Sequence, residues 1–219
     1  MSQSAASAVL ETEENDNGPR LNRRQAAKVR TRQKVLDAAR SLFAERGYEP
    51  ATIRDIAKGA GMSTGAVFAN FQDKAELFEA VLTEDMTRLA DTVKAGAGEG
   101  SVHARLTAAL SAGYHGSLDH LPLFQAIVAR SWFQPLAAET RARAVTKQVL
   151  AVITDILRSG VSAGELSQDA DVPLLTELVW DAYLSNYRRA AYDNWSEAQL
   201  SDHVAKQIGV IIAGSLTRK

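Results

Sequence analysis

The chain has 219 residues and a mass of 23.6 kDa, and its 46% hydrophobic content is ordinary for a globular protein with a real core. It has no cysteine, which excludes disulfides, thiolate metal sites, iron–sulfur clusters and a cysteine nucleophile. No apolar run near either end approaches the roughly 20 residues of a membrane span. The first 19 residues carry Glu11, Glu13, Glu14 and Asp16 without the apolar stretch of a secretory signal, so a cytoplasmic location is expected.

The formal charge of −1, from 25 basic and 26 acidic side chains, argues at first against a nucleic-acid partner. The distribution reverses that impression. Residues 1–19 contain four acids and no base, with no periodicity, and read as a disordered tail. Residues 20–74 hold twelve Lys or Arg against five Asp or Glu; Arg20, Arg23, Arg24, Lys28, Arg30, Arg32 and Lys34 all precede the first of those acids, Asp37. Residues 75–219 hold thirteen bases against seventeen acids. A compact basic unit joined to a larger, mildly acidic one suits a chain of which one part meets an anionic polymer.

Alanine occurs 37 times and alternation of apolar with polar residues is rare, so helix is predicted nearly throughout. From Val35 the residues Leu36, Ala39, Leu42 and Phe43 recur at helical spacing up to Gly47, with Pro50 beyond. Thr52 with Asp55 makes a capping box for a short helix bearing Ile53, Ile56, Ala57 and Ala60. Gly61 suits a left-handed terminus, and Ser63 caps a third helix to about Phe71. Asp73 with Glu76 opens a long fourth helix, whose buried face is Leu77, Phe78, Val81, Leu82, Leu89 and Val93. Ala95–Gly100, with three glycines, ends it. Further helices are predicted near 101–115, 119–131, 136–159, 171–192 and 196–215, with Gly160 as a C-cap and Ser196 as an N-cap. The fold class is all-α.

The stretch Leu174–Leu184 is apolar nearly all round, and Leu200, Val204, Ile208, Ile211, Ile212 and Leu216 form a wide stripe on the helix that follows it. A subunit interface including Leu178, Leu200, Val204, Ile208, Ile211 and Ile212 would account for both. Two short capped helices, Thr52–Ala60 and Ser63–Phe71, joined by a glycine turn and preceded by a longer helix, have the dimensions of a helix-turn-helix. Ser63, Thr64, Gly65 and Ala66 are small enough for the start of the second helix to enter a major groove about 12 Å wide. Thr52 and Ser63 offer donors to phosphates, while Lys74, Arg23, Arg24 and Lys28 supply charge that releases counterions.

The stretch from Thr31 to Leu82 resembles the DNA-binding segment of the tetracycline-repressor (TetR) family. Ala38-Ala39, Leu42-Phe43, Gly47-Tyr48, Thr52, Ile56-Ala57, Ala60-Gly61, Ser63, Gly65, Phe71, Lys74 and Leu77 fall in the family's order and spacing. The resemblance implies three parts: the tail 1–19, a three-helix DNA-binding domain at 20–74, and a helical effector-binding and dimerisation domain at 75–219. It further implies a ligand-responsive repressor that acts as a homodimer on a pseudo-palindromic duplex operator and is released by a small-molecule effector. Carried over by position, Thr52, Thr64 and Lys74 would contact phosphate, and Arg54, Thr64, Gly65 and Ala66 would face base edges or backbone. Phe68 stands where the family usually has tyrosine, and Asn70 where histidine is frequent.

Tyr114, Phe124, Trp132, Phe133, Trp180, Tyr183 and Tyr187 concentrate in the central helices, with His115 and Asn186 as polar groups that could orient an effector. The same aromatics could instead fill the core. Gly61-Met62-Ser63-Thr64-Gly65 fits the serine-hydrolase elbow pattern, but a helix precedes it where a strand is needed. His103, His115, His120 and His203 are scattered. No catalytic residue, metal or cofactor is expected. The competing reading is a helical small-molecule-binding protein or enzyme with a disused helix-turn-helix.

Overall fold

The computed structural model describes residues 23–131 and 136–217. Helix α1 spans Arg23–Arg46, so the basic stretch before Val35 forms its first three turns. Gly47, at φ +79°, closes it with an N–H donated to the Phe43 carbonyl, as predicted. Helices α2 (Ile53–Gly59) and α3 (Thr64–Phe68) are capped by Thr52 and Ser63, whose hydroxyl oxygens accept the N–H of Asp55 and Ala66. Gly61, at φ +67°, makes the turn between them.

Helix α4 (Lys74–Gly96) starts at the Asp73 cap and ends in a turn, 97–100, containing two left-handed glycines. Helix α5 spans Val102–Ser117, and a 3-10 turn at Leu118–His120 leads into α6 (Leu121–Ser131). Helices α7 (Leu136–Ser162), α8 (Val172–Asp193) and α9 (Glu197–Ala213) complete the body. Gly160 is no C-cap: it lies inside α7, where a methyl group would overlap Val102, and Gly164, at φ +73°, takes the left-handed turn beyond the helix end. Residues 165–167 and 215–217 form a short backbone pairing around Leu166 and Leu216. Among the described residues no helix is long and apolar enough to cross a membrane.

Two apolar cores result. The head core gathers Val35, Ala39, Phe43, Ile56, Val67 and Phe71 from α1 to α3 and their flanks, with Leu77, Phe78 and Val81 from α4 and Leu123 from α6. The body core holds Met86, Leu89, Ala90 and Val93 of the same α4, with Leu106, Leu110, Ile153, Leu157 and Tyr183. Each fully buried Leu, Ile or Phe contributes about 1.5–3 kcal/mol. Because one helix supplies both cores, the head is not separable at residue 74; α4 is a shared wall whose apolar stripe changes core near Leu82.

The stripe on α9 is the clearest correction. Leu200, Val204, Ile208 and Ile212 are buried in the chain's own core, against α5 and α8, and cannot also meet a second copy. A helix apolar on one wide face and docked on two neighbours needs no partner molecule to cover it. Of the predicted interface residues Leu178 remains well exposed and Ile211 partly so; Leu174 on α8 and Val210 on α9, the latter 78% exposed, join them as apolar groups at the surface.

Candidate nucleic-acid interface

Helix α3 is only five residues long, and Val67 anchors it in the head core. That anchoring turns Thr64, Gly65 and Phe68 outward, with Ala66 half-buried beside them. Phe68 is 54% exposed, an unusual cost for a phenyl ring with no partner. A side chain at Gly65 would have met only the Ser63 hydroxyl, at 3.8 Å, so packing within the chain does not demand glycine there. Ser63 uses its oxygen to cap α3 and keeps its hydroxyl proton available. Arg54 lies exposed in the first turn of α2.

The basic helix α1 sharpens the picture. At 100° per residue Arg23, Arg30 and Lys34 fall within about 40° of one another, on the side opposite Val35, Ala39 and Phe43. They and Lys28 are exposed and carry no ion pair among the described residues. Arg32 behaves differently: Nη1 donates to the Asn70 carbonyl at 2.9 Å and its guanidinium sits 4.1 Å above the Phe71 ring, so it braces α1 against the end of α3. Charge counting could not separate Arg32 from its neighbours. The side chain of Arg24 lies outside the described residues.

Two predicted DNA contacts, Lys74 and Thr52, bond within the head, and so does Asn70. Lys74 Nζ donates to the carbonyls of Tyr48 (3.0 Å), Glu49 (3.2 Å) and Ala51 (3.1 Å) and lies 4.2 Å above the Tyr48 ring. All three ammonium protons are engaged in pinning the 47–51 loop, leaving none for a phosphate. Thr52 donates its hydroxyl proton to Asp55 Oδ2 at 2.7 Å, which leaves only acceptor capacity. Asn70 folds its amide back onto the Ala66 carbonyl at 2.9 Å, closing the end of α3.

A charged lock ties the head to the shared wall. Arg40 of α1 donates through Nε to Asp85 Oδ1 at 2.9 Å, through Nη1 to Asp37 at 3.0 Å, and also reaches Glu84. The Asp85 carboxylate is 5% exposed and also accepts from Arg88, one turn along α4. A buried carboxylate held between two guanidinium groups is costly to leave half-paired.

The predicted effector aromatics form a closed stack. Tyr114 stacks on Tyr183 at 4.5 Å, Phe124 on Tyr187 at 5.0 Å, and Trp180 on Tyr183 at 5.5 Å. Their polar ends satisfy one another. Tyr114 donates to the Tyr183 carbonyl and accepts from Asn186, which also reaches Gln207; the Tyr183 and Tyr187 hydroxyls meet at 2.7 Å, and Ser117 bonds Tyr187. Burial pushes the Tyr187 phenol up to about 12, and those of Tyr114 and Tyr183 upward too, so all three stay neutral. Tyr114, Trp180, Tyr183, Asn186 and Tyr187 therefore pack within the core, and none of them borders the pocket between α4, α5 and α6. His115 faces solvent, with Nδ1 2.9 Å from Glu197 Oε2. Trp132 and Phe133 lie outside the described residues. Of the predicted set Phe124 alone, among the described residues, borders the pocket of about 130 Å³ between α4, α5 and α6, where it meets Arg88, Leu89 and His120.

Residues 35–81 match the family model for bacterial regulatory proteins of the tetR family. The HTH-type transcriptional repressor AcnR of Corynebacterium efficiens is 49% identical over 65 residues, covering 30% of this chain. The chain spans about a third (35%) of the length of that relative. The HTH-type transcriptional repressor KstR2 of Mycobacterium tuberculosis is 28% identical over 204 residues, covering 90% of this chain and 98% of that protein. Among solved structures, the transcriptional regulator FadR of Bacillus subtilis in complex with stearoyl-CoA superposes with a TM-score of 0.72 at 18% identity, covering 83% of this chain and 98% of that one.

Proposed function

From the standing of this chain as a member of the tetR family of bacterial regulatory proteins, we propose that it is a ligand-responsive, DNA-binding transcriptional repressor, released from its operator by a small molecule. The observation that carries this reading is the outward face of α3, with Ser63, Thr64, Gly65 and the exposed Phe68, in a head whose first helix also carries exposed cations with no ion pair among the described residues. An α3 start bearing only small groups can approach the floor of a major groove, and Phe68 can meet a thymine methyl or a sugar. Arg54 supplies the long donor that base edges require. Arg23, Lys28, Arg30 and Lys34 supply phosphate attraction without sequence information.

Two heads are needed to read a pseudo-palindrome, with half-sites about 34–36 Å apart. The exposed Leu174, Leu178 and Val210 on α8 and α9 support a homodimer joined there. Replacing Leu178 and Val210 together by glutamate should give folded monomers in sedimentation; intact dimers would move the interface elsewhere. In this reading the chain catalyses nothing.

Fluorescence anisotropy with duplex DNA from upstream of the chain's own gene tests the central claim. Binding at least about a hundredfold tighter than to mixed-sequence duplex is expected at moderate salt. Equal affinity for both duplexes would sink the repressor reading.

A further inference from the structure

Resting on the reading of the body as an effector domain, we infer that the pocket at the head–body joint takes a compact aromatic carboxylate, with its anion on Arg88 and His120 and its ring between Leu89 and Phe124. The pocket holds about 130 Å³, below the usual range of ligand cavities, so a single ring with a short substituent fits and a long chain does not. Phe124 is fixed by its near-parallel stack on Tyr187, 8° between planes, and presents a rigid apolar wall. Leu89 is part of the body core.

Two polar groups at the pocket keep unused bonding capacity. Arg88 is 53% exposed at the mouth and engages Asp85 through one nitrogen, which leaves most of its five donors open. His120 Nδ1 is buried without a hydrogen-bond partner. Because Nδ1 has no exposed surface, the ring must turn toward the pocket before a proton on that nitrogen can be donated to a carboxylate oxygen. Ser117, by contrast, already donates within the chain. Asp85 lines the same pocket, and Arg40 and Arg88 offset its charge only in part, since Arg40 is shared with Asp37 and Glu84. The bound carboxylate competes with Asp85 for Arg88. Asp85 is also the acceptor for Arg40 of α1, so occupancy of the pocket changes the charge balance of the lock that sets the head on α4.

Benzoate and its neutral analogue benzamide serve as probes in calorimetric titrations of the full chain. Benzoate should bind, with benzamide at least about tenfold weaker. Arg88→Gln should weaken benzoate by about tenfold or more, and His120→Leu by a smaller factor. Gly116→Leu provides a steric test that leaves the charges alone. A Cβ at Gly116 meets only Thr92 Cγ2, at 3.8 Å, so the added side chain has room to occupy the pocket and should abolish binding. No benzoate binding, equal binding of benzamide, or unchanged binding in both Arg88→Gln and Gly116→Leu overturns the inference. These titrations contain no DNA. Benzoate binding as described in a chain that fails the anisotropy test would retain the pocket and reject the repressor; operator binding without benzoate binding would do the reverse.

Discussion

The head leaves its functional groups outside, and the body folds its own inside. In the head, four cations of α1, Arg54 and an exposed phenyl ring have no partner among the described residues. In the body, three tyrosines, an asparagine and a serine close a hydrogen-bonded network around stacked rings. A surface prepared for a polymer can stay open because water solvates its charges until the partner replaces them. A buried polar network must be complete within the chain, since each unmade bond there carries the full desolvation cost. In the proposed reading, the response of such a body to a small molecule falls to its margin, where the α4 lock and the joint pocket lie.

Cutting the body network gives the largest expected effect. Tyr183→Ala removes a ring packed against three others and should cost about 3–5 kcal/mol in chemical denaturation. Phe68→Ala in the head should change stability by less than about 0.5 kcal/mol while weakening operator binding. Comparable stability losses for the two would erase the contrast between the regions.

Within the head, Lys74→Met should lower stability by about 1–3 kcal/mol through the three loop carbonyls it leaves unbonded, with the salt dependence of DNA affinity unchanged. Converting Arg23, Arg30 and Lys34 together to glutamine should do the opposite: stability holds, and the logarithmic salt slope falls by up to about 2.7, at 0.9 per lost phosphate contact. A slope altered by Lys74→Met alone would restore it as a phosphate contact.

The smallest effect concerns the exposed His115–Glu197 pair. The hydrogen bond His115 donates to Glu197, then the charge of that carboxylate, raises the His115 pKa above 6.5 in the folded chain. A raised folded value means the pair's stabilisation is fully present below pH 6.5 and is lost as pH rises through the folded pKa. Melting curves of the parent and His115→Gln should therefore differ slightly at acidic pH and converge above neutrality. A difference that grows with pH would contradict the sign.

Most helix ends were legible because caps act within three or four residues. Thr52, Ser63, Asp73 and Ser196 each accept an N–H three positions on, and Gly47 and Gly61 take the left-handed turns their lack of a Cβ allows. The helix-turn-helix was legible for the same reason, as a run of local signals in a fixed order. Gly160 misled, since a glycine needed for close packing against Val102 looks the same in sequence as one that ends a helix.

The sequence by itself determined the all-α class, the basic head and the recognition helix, because periodicity, capping and charge density are properties of neighbouring residues. Only the tertiary structure decided which groups remain available to a partner. Lys74 is drawn to carbonyls 23 to 26 residues away, Arg32 to Asn70 38 residues on, and the α9 stripe to helices from elsewhere in the chain. Availability is what remains after the fold has satisfied its own hydrogen bonds and covered its own apolar surface, and those partners are set by contacts distant in sequence.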